Sequence, residues 1–290
     1  MMDIFDIYLL EAIVNGILLG GVLALLALGL NLIFGVIDVT WICYAELVMI
    51  GMYGMYYLVQ YFGLSYFVAA PLTILLVAGL GALLHLLVIA PLLSAPPINQ
   101  LLATGGVLFV LQSFATVAFG IDFRNVGIRL PVLQFAEMHF SYARLLAFAA
   151  ALIGMVLVYL FMTRTFVGTA IRAISQDRQI MALMGVDTSR IYLITSALGG
   201  ALAGLASCLL VLQYDIHPFV GLSFGPITFL ICVLGGLGNF VGGFVAAFVF
   251  AEIISLGGLF SDLEWGYVLA FAFFIVMMFI RPAGLLARRS

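Results

Sequence analysis

Along the 290-residue chain, long apolar runs alternate with short polar or glycine- and proline-containing breaks. A helix rises 1.5 Å per residue, so a run of about 18 to 20 apolar residues matches the roughly 30 Å of a bilayer's hydrocarbon. On that measure the sequence predicts spans over residues 9–34, 42–60, 66–91, 100–119, 144–163 and 191–213. Gly35 and Asp38 separate the first two, Gly63 to Ser65 the next, and Ser94-Ala95-Pro96-Pro97 ends the third, because paired prolines cannot continue a helix. The longest polar interval is Asp122 to Ser141, with Arg124, Arg129, Pro131, Glu137 and His139; a second runs from Arg164 to Arg190. After Asp215-Ile216-His217-Pro218 comes an apolar stretch too long for one simple crossing and cut by Gly235, Gly236, Gly238, Gly242 and Gly243. It reads as a half-helix to Leu234, a glycine turn and a second helix from Phe240 to Ser255, before a last span over 265–280. The predicted class is all-α: a polytopic transmembrane bundle of about 7–8 spans, a single transmembrane domain over 1–290.

Composition agrees. Hydrophobic residues make up 66%, charged residues 8%, and mean hydropathy is +1.32, where soluble domains are about half apolar and a quarter charged. All ten basic residues are arginine. Without lysine the chain can form neither a phosphate-loop nucleotide site nor a Schiff base, so any ATP chemistry belongs to a partner. Cys43, Cys208 and Cys232 lie in apolar runs without metal or redox spacing and read as small buried hydrophobes. The acidic start (Asp3, Asp6, Glu11) lacks the basic region of a cleaved leader. Arginines favour the cytoplasmic side. Arg164, Arg172, Arg178 and Arg190 therefore place the second polar interval inside and the N-terminus outside. The tail, with Arg281, Arg288 and Arg289, returns inside only if the glycine-broken stretch enters and leaves as a re-entrant pair.

Within the second interval, Ala170, Ile171, Ile174, Met181 and Met184 recur at helical spacing, and Gly185 supplies a left-handed stop. This predicts a short amphipathic helix on the cytoplasmic face, either a docking helix or a plain surface connector. Polar residues inside spans are costly and so are functional candidates: Asn31, Asp38, Glu46, His85, Gln112, Asn239 and Glu252. The structural alternatives are interhelical hydrogen bonds for Asn31, His85 and Gln112, and solvation at helix ends for Asp38, Glu46 and Glu252. The glycines from Gly235 to Gly243 read as close packing plus a turn, which carries Asn239.

Four blocks in order carry a resemblance. They are Gly16 to Gly35; Gly168-Thr169-Ala170-Ile171-Arg172-Ala173 continuing through Asp177 to Gly185-Val186; Leu234-Gly235-Gly236-Leu237-Gly238 with Gly242; and Arg281-Pro282-Ala283-Gly284-Leu285-Leu286. Together they span most of the chain, which resembles the permeases of branched-chain amino acid ABC transporters. The resemblance implies an importer subunit of the bacterial inner membrane, not an enzyme, that binds no cofactor of its own. ATP and Mg would be held by separate ATP-binding subunits, solute would come from a periplasmic binding protein, and a second permease, a sister or another copy, would complete the pathway. It also implies that the second block couples to the ATPase, through Arg172, Ala173, Gln176, Asp177, Ala182 and Gly185. The substrate-pathway residues expected are Asn31, Asp38, Tyr44, Glu46 and Asn239.

One segment departs from the family. Where its members carry a motif close to N-F-A-H-G-E, this chain reads Trp41-Ile42-Cys43-Tyr44-Ala45-Glu46. Only the acidic residue and Gly51 beyond it align, which points to a solute other than leucine, isoleucine or valine, such as another small amino acid, an amide or a small polar or acidic solute. The rival reading is a stand-alone secondary transporter or channel, whose signature would be several mid-membrane carboxylates. An intramembrane enzyme lacks support, since the metal-binding H-E-x-x-H does not occur.

Overall fold

A computed structural model describes residues 4–127, 132–135, 138–260, 263–281 and 284–285. The expectations attached to Asp3, Arg129, Pro131, Glu137, Pro282, Ala283, Leu286, Arg288 and Arg289 lie outside the described residues. The order is α1 (Ile4–Ile37), α2 (Tyr44–Gln60) and α3 (Tyr66–Leu84), which runs on through a π-helical turn (His85–Ile89) into α4 (Ala90–Leu92). Then follow α5 (Pro97–Phe119), a hairpin of β1 (Val132–Phe135) and β2 (Met138–Ser141), and α6 (Tyr142–Arg164). The short helices α7 (Phe166–Ile174) and α8 (Arg178–Leu183) precede α9 (Thr188–Leu210), α10 (Val220–Gly235), α11 (Phe240–Phe260) and α12 (Leu263–Ile280). Among the described residues, six helices are long and apolar enough to cross a membrane, and α10 and α12 are shorter apolar helices. The bundle is the all-α polytopic fold expected. The hairpin was not foreseen; it pairs antiparallel with Val132 opposite Ser141 and Phe135 opposite Met138.

The longest helix, α1, is the axis of the molecule and packs against α6, α9, α10 and α11. Its glycines admit those neighbours closely: a Cβ at Gly20 would lie 2.8 Å from the Phe248 ring, and one at Gly35 would lie 2.9 Å from the Cα of Gly238. The second close pair is α3 on α9, where a Cβ at Gly200 would stand 2.6 Å from the Val77 carbonyl oxygen. Beside it the π-helical turn presents His85, whose Nδ1 lies 3.0 Å from the Ser196 hydroxyl, the interhelical bond expected for this residue.

α1 ends where Asp38 takes a left-handed conformation (φ 60°), which short polar side chains tolerate. The chain then turns back into the bundle, and α2 starts deep within it, with Tyr44 packed on Gly29 of α1. At the opposite face, Arg124 fastens three elements. It donates to the Tyr57 hydroxyl (2.7 Å) and to the Phe119 carbonyl, and its backbone bridges to Ile216.

The glycine-broken stretch forms the expected pair. α10 and α11 are joined by a turn in which Gly236 and Gly238 have φ of 92° and 79°. That turn sits against Gly35 near the end of α1, and the Leu285 N–H donates to the Leu234 carbonyl (2.7 Å). Residues 284–285 thus lie at the same face as the α1 end, which Arg178 of α8 also reaches. α11 is itself long and apolar enough to cross a membrane, where the sequence led to a re-entrant arm.

Lipid supplies no hydrophobic drive between helices, so backbone approach at the α3–α9 contact carries much of the packing. We expect Gly200→Leu to destabilise the protein by about 1–3 kcal/mol or more. Gly79→Ala, at a position with nothing within 4 Å, should be neutral or stabilising by up to about 1 kcal/mol. Thermal unfolding in detergent distinguishes the two.

Candidate functional site

Because the segment from Asp38 to Cys43 folds back beneath α2, it leaves a cavity between α1, α2, α5 and α10 of about 280 Å³. Its walls are mostly apolar: Leu30, Ile42, Ala45, Leu101, Leu108, Leu222, Pro226 and Phe229. The polar lining residues are Thr40, Trp41, Tyr44, Glu46 and Thr228. Two glycines keep the α10 wall thin: a Cβ at Gly221 would stand 2.5 Å from Glu46 Oε1, and one at Gly225 would meet Ala45 at 3.2 Å.

Glu46, in the first turn of α2, is fully buried. Gln112 of α5 donates to its Oε1 (3.0 Å), while its Oε2 has no partner among the described residues. The Trp41 indole N–H is likewise buried and unpartnered. Of the other polar side chains in the lining, the Tyr44 hydroxyl reaches the Gly199 carbonyl (3.4 Å) and the Thr228 hydroxyl donates to the Phe224 carbonyl (2.7 Å).

α5 closes the cavity in an unusual way for a helix in lipid. Its buried residues are Gln100, Thr104, Gln112 and Ala115, whereas Leu102, Phe109, Val110, Phe114 and Val117 are exposed. Polar bonds therefore tether it: Gln112 to Glu46, and the Thr104 hydroxyl to the Thr40 carbonyl (2.9 Å).

Of the pathway residues expected from the sequence, Tyr44 and Glu46 meet in this cavity. Asn31, Asp38 and Asn239 do not line it. Asn31 is buried and its Oδ1 accepts the Gly238 N–H (3.2 Å), while its Nδ2 has no partner. The Asn239 side chain accepts the Gly242 N–H (3.0 Å) and so caps the start of α11. Asp38 lies at the surface, where its carboxylate meets Arg178 at 3.2 Å. Glu252 packs over Gly16 of α1, away from the cavity. Trp41 and Thr40, which sequence reasoning passed over, belong to it; the only signal was that Trp41 replaces the family's asparagine.

The interval expected as one amphipathic helix is two. α7 buries Ala170, Ile171 and Ile174 against the bundle, with Arg172 exposed. The chain breaks at Ser175 to Asp177, because the Asp177 side chain accepts the Ile180 N–H and starts α8 afresh. Gly185, at φ 81°, ends α8 as expected. Gln176 and Asp177 are exposed in the break, and Ala173 is half-buried. The side chain of Ala182 lies outside the described residues.

Comparison with known proteins gives consistent results. A family model described as branched-chain amino acid transport system, permease component, matches residues 12–278. The high-affinity branched-chain amino acid transport system permease protein BraD of Pseudomonas aeruginosa is 27% identical, over 96% of this chain and 96% of its own length. The corresponding LivH protein of Escherichia coli is 25% identical over 97% of this chain and 96% of its own. The LivM protein of Salmonella typhimurium is 25% identical over 90% of this chain and 67% of its own. No solved structure matches.

Removing one partner of a buried charge leaves the other without a hydrogen bond, whereas removing both does not. We expect Gln112→Leu to cost about 1.5–3 kcal/mol. The double variant Glu46→Leu/Gln112→Leu should recover most of that stability. Melting temperatures of the wild type and the three variants, including Glu46→Leu alone, close the cycle.

Proposed function

The chain belongs to the branched-chain amino acid transport permease family, as a multi-pass inner-membrane transport subunit and not an enzyme, and from that premise we propose that it carries an aliphatic amino acid inward through the cavity beside Glu46. Two ATP-binding subunits dock on the arginine-rich face, a periplasmic binding protein delivers the solute, and a second permease completes the pathway. The match to both LivH-type and LivM-type relatives supports a sister chain as that second permease.

The observation that carries this reading is a short physical connection. Arg178 opens α8 in the coupling segment and pairs with Asp38, and two residues further on the same strand of chain becomes the cavity wall at Thr40 and Trp41. A push on α7 and α8 therefore reaches the cavity through four residues of backbone. ATP-driven closure of the partner subunits, acting on exposed Arg172, Gln176 and Asp177, then shifts the 38–43 segment and, through Thr40 and Thr104, α5. With α5 held by polar bonds rather than deep packing, the cavity opens on alternate sides.

The solute expectation changes. A small polar or acidic solute suited the altered segment at Trp41 to Ala45, but the relatives are named for branched-chain amino acids. The cavity's chemistry favours the same class. Its walls suit an aliphatic side chain, and a buried carboxylate repels an acidic one.

With the partner subunits in proteoliposomes, ATP should drive leucine accumulation. Arg178→Ala and Asp38→Asn should each lower uptake per ATP hydrolysed several-fold while ATPase activity persists. The exchange Asp38→Arg/Arg178→Asp should restore part of the coupling. Leucine movement by this chain alone without ATP would overturn the reading in favour of a secondary transporter or channel.

A further inference from the structure

Within the cavity, two buried polar atoms stand without partners, and they are opposite in kind. Glu46 Oε2 is an acceptor on a carboxylate, and Trp41 Nε1 is a donor. Buried polar groups in proteins are nearly always paired, so each such atom asks for an explanation. Both flank the start of α2. That 17-residue helix begins inside the bundle, at Cys43, with no side chain capping it. Two of its first-turn amides, of Tyr44 and Glu46, are taken by the Trp41 and Cys43 carbonyls. The helix start still adds positive potential at this end of the cavity, and helix ends of this type receive anionic groups of solutes in transporters.

We infer that the cavity is a recognition site for a zwitterionic amino acid: the α-ammonium binds Glu46 Oε2, the α-carboxylate binds Trp41 Nε1 at the α2 start, and the aliphatic side chain lies against Leu108, Pro226 and Phe229. The inference rests on the permease reading above and goes beyond it by naming the groups that read the solute. It accounts for three features together. Gly221 leaves room for the Glu46 carboxylate, which any larger residue would displace. Gln112 holds one carboxylate oxygen and leaves the other free. A volume of about 280 Å³ falls just under the usual range of about 300–1,000 Å³ for small-molecule pockets, which suits a solute smaller than a drug.

The site carries its own reporter. The protein has two tryptophans, and Trp265 is 57% exposed on α12, so a Trp265→Phe variant leaves Trp41 as the sole emitter. In nanodiscs, titration of this variant with L-leucine should change its emission saturably. Leucinamide, which lacks the carboxylate, and 4-methylpentanoate, which lacks the ammonium, should each bind roughly ten- to hundred-fold more weakly. Adding Glu46→Gln should bring leucine down to the level of 4-methylpentanoate. Should that variant not fold, Glu46→Asp, with the charge drawn back by one methylene, should weaken leucine and leave 4-methylpentanoate unchanged. An emission that responds equally to all three compounds, or to none, overturns the site. If ATP-driven leucine uptake by the assembled importer persists in that case, only the recognition site falls. If that uptake is absent too, the permease reading falls with it.

Discussion

Everything in this bundle depends on how closely other helices can approach α1. In hydrocarbon, helices gain nothing from hiding apolar surface, so association rests on van der Waals contact and a few polar bonds. The glycines of α1 convert that requirement into geometry. Gly16 and Gly20 receive Glu252 and Phe248 of α11, Gly21 receives Phe148 of α6, and Gly29 receives Tyr44 of α2. The last of these contacts has the largest consequence. With Tyr44 seated on Gly29, α2 must begin deep in the bundle, and the six residues from Asp38 to Cys43 must climb back inward to reach it. The cavity is the space that this return leaves open.

A carboxylate in such a place is tolerated only because several elements are arranged around it. Its cost in hydrocarbon is several kcal/mol in the absence of partners. Gln112 meets one oxygen, the missing side chain at Gly221 makes room, and the α2 start supplies favourable potential. The same arrangement explains the inverted character of α5, which turns glutamine and threonine inward and leucine and phenylalanine outward. A helix attached through hydrogen bonds can exchange them for bonds to solute or water, whereas interdigitated apolar side chains resist movement. Tethering and mobility are therefore compatible at α5 in a way they are not at α1.

Much of this was legible in the sequence, and the boundary of legibility has physical causes. Span positions follow from run length, so the predicted 100–119 and 265–280 segments fall close to the observed α5 and α12. Turn glycines announce themselves, and Gly185 and the Gly236–Gly238 turn do adopt positive φ. Facing does not follow in the same way, because in a chain this apolar the hydrophobic pattern scarcely distinguishes lipid from neighbour. Asn31 and Asn239 therefore looked like pathway residues, although the structure employs both at the α10–α11 turn. Trp41 stood out only as a replacement for the family's asparagine, although its indole N–H stands unpartnered in a cavity wall. The break between α7 and α8 was hidden because the apolar periodicity continues across it; one Asp177 side chain bonding to a backbone N–H decides it locally.

The departures from the family motif take on meaning through this geometry. Trp41, Tyr44 and Ala45 all line one cavity, and each is larger than the asparagine, histidine or glycine that the family carries there. Scattered substitutions would suggest drift, but three on one wall alter a single volume. Each enlarges an apolar or aromatic surface, and none introduces a charge. The change narrows the cavity and leaves the Glu46 carboxylate in place, so it acts on the side-chain end of a solute more than on its charged end. In the proposed recognition mode such a permease keeps the demand for an amino group and adjusts which aliphatic side chain it admits. The coupling segment meets that wall within a few residues, at Asp38. In the proposed mechanism the element that selects the solute is also the element that ATP-driven motion displaces, so selection and release need no separate machinery.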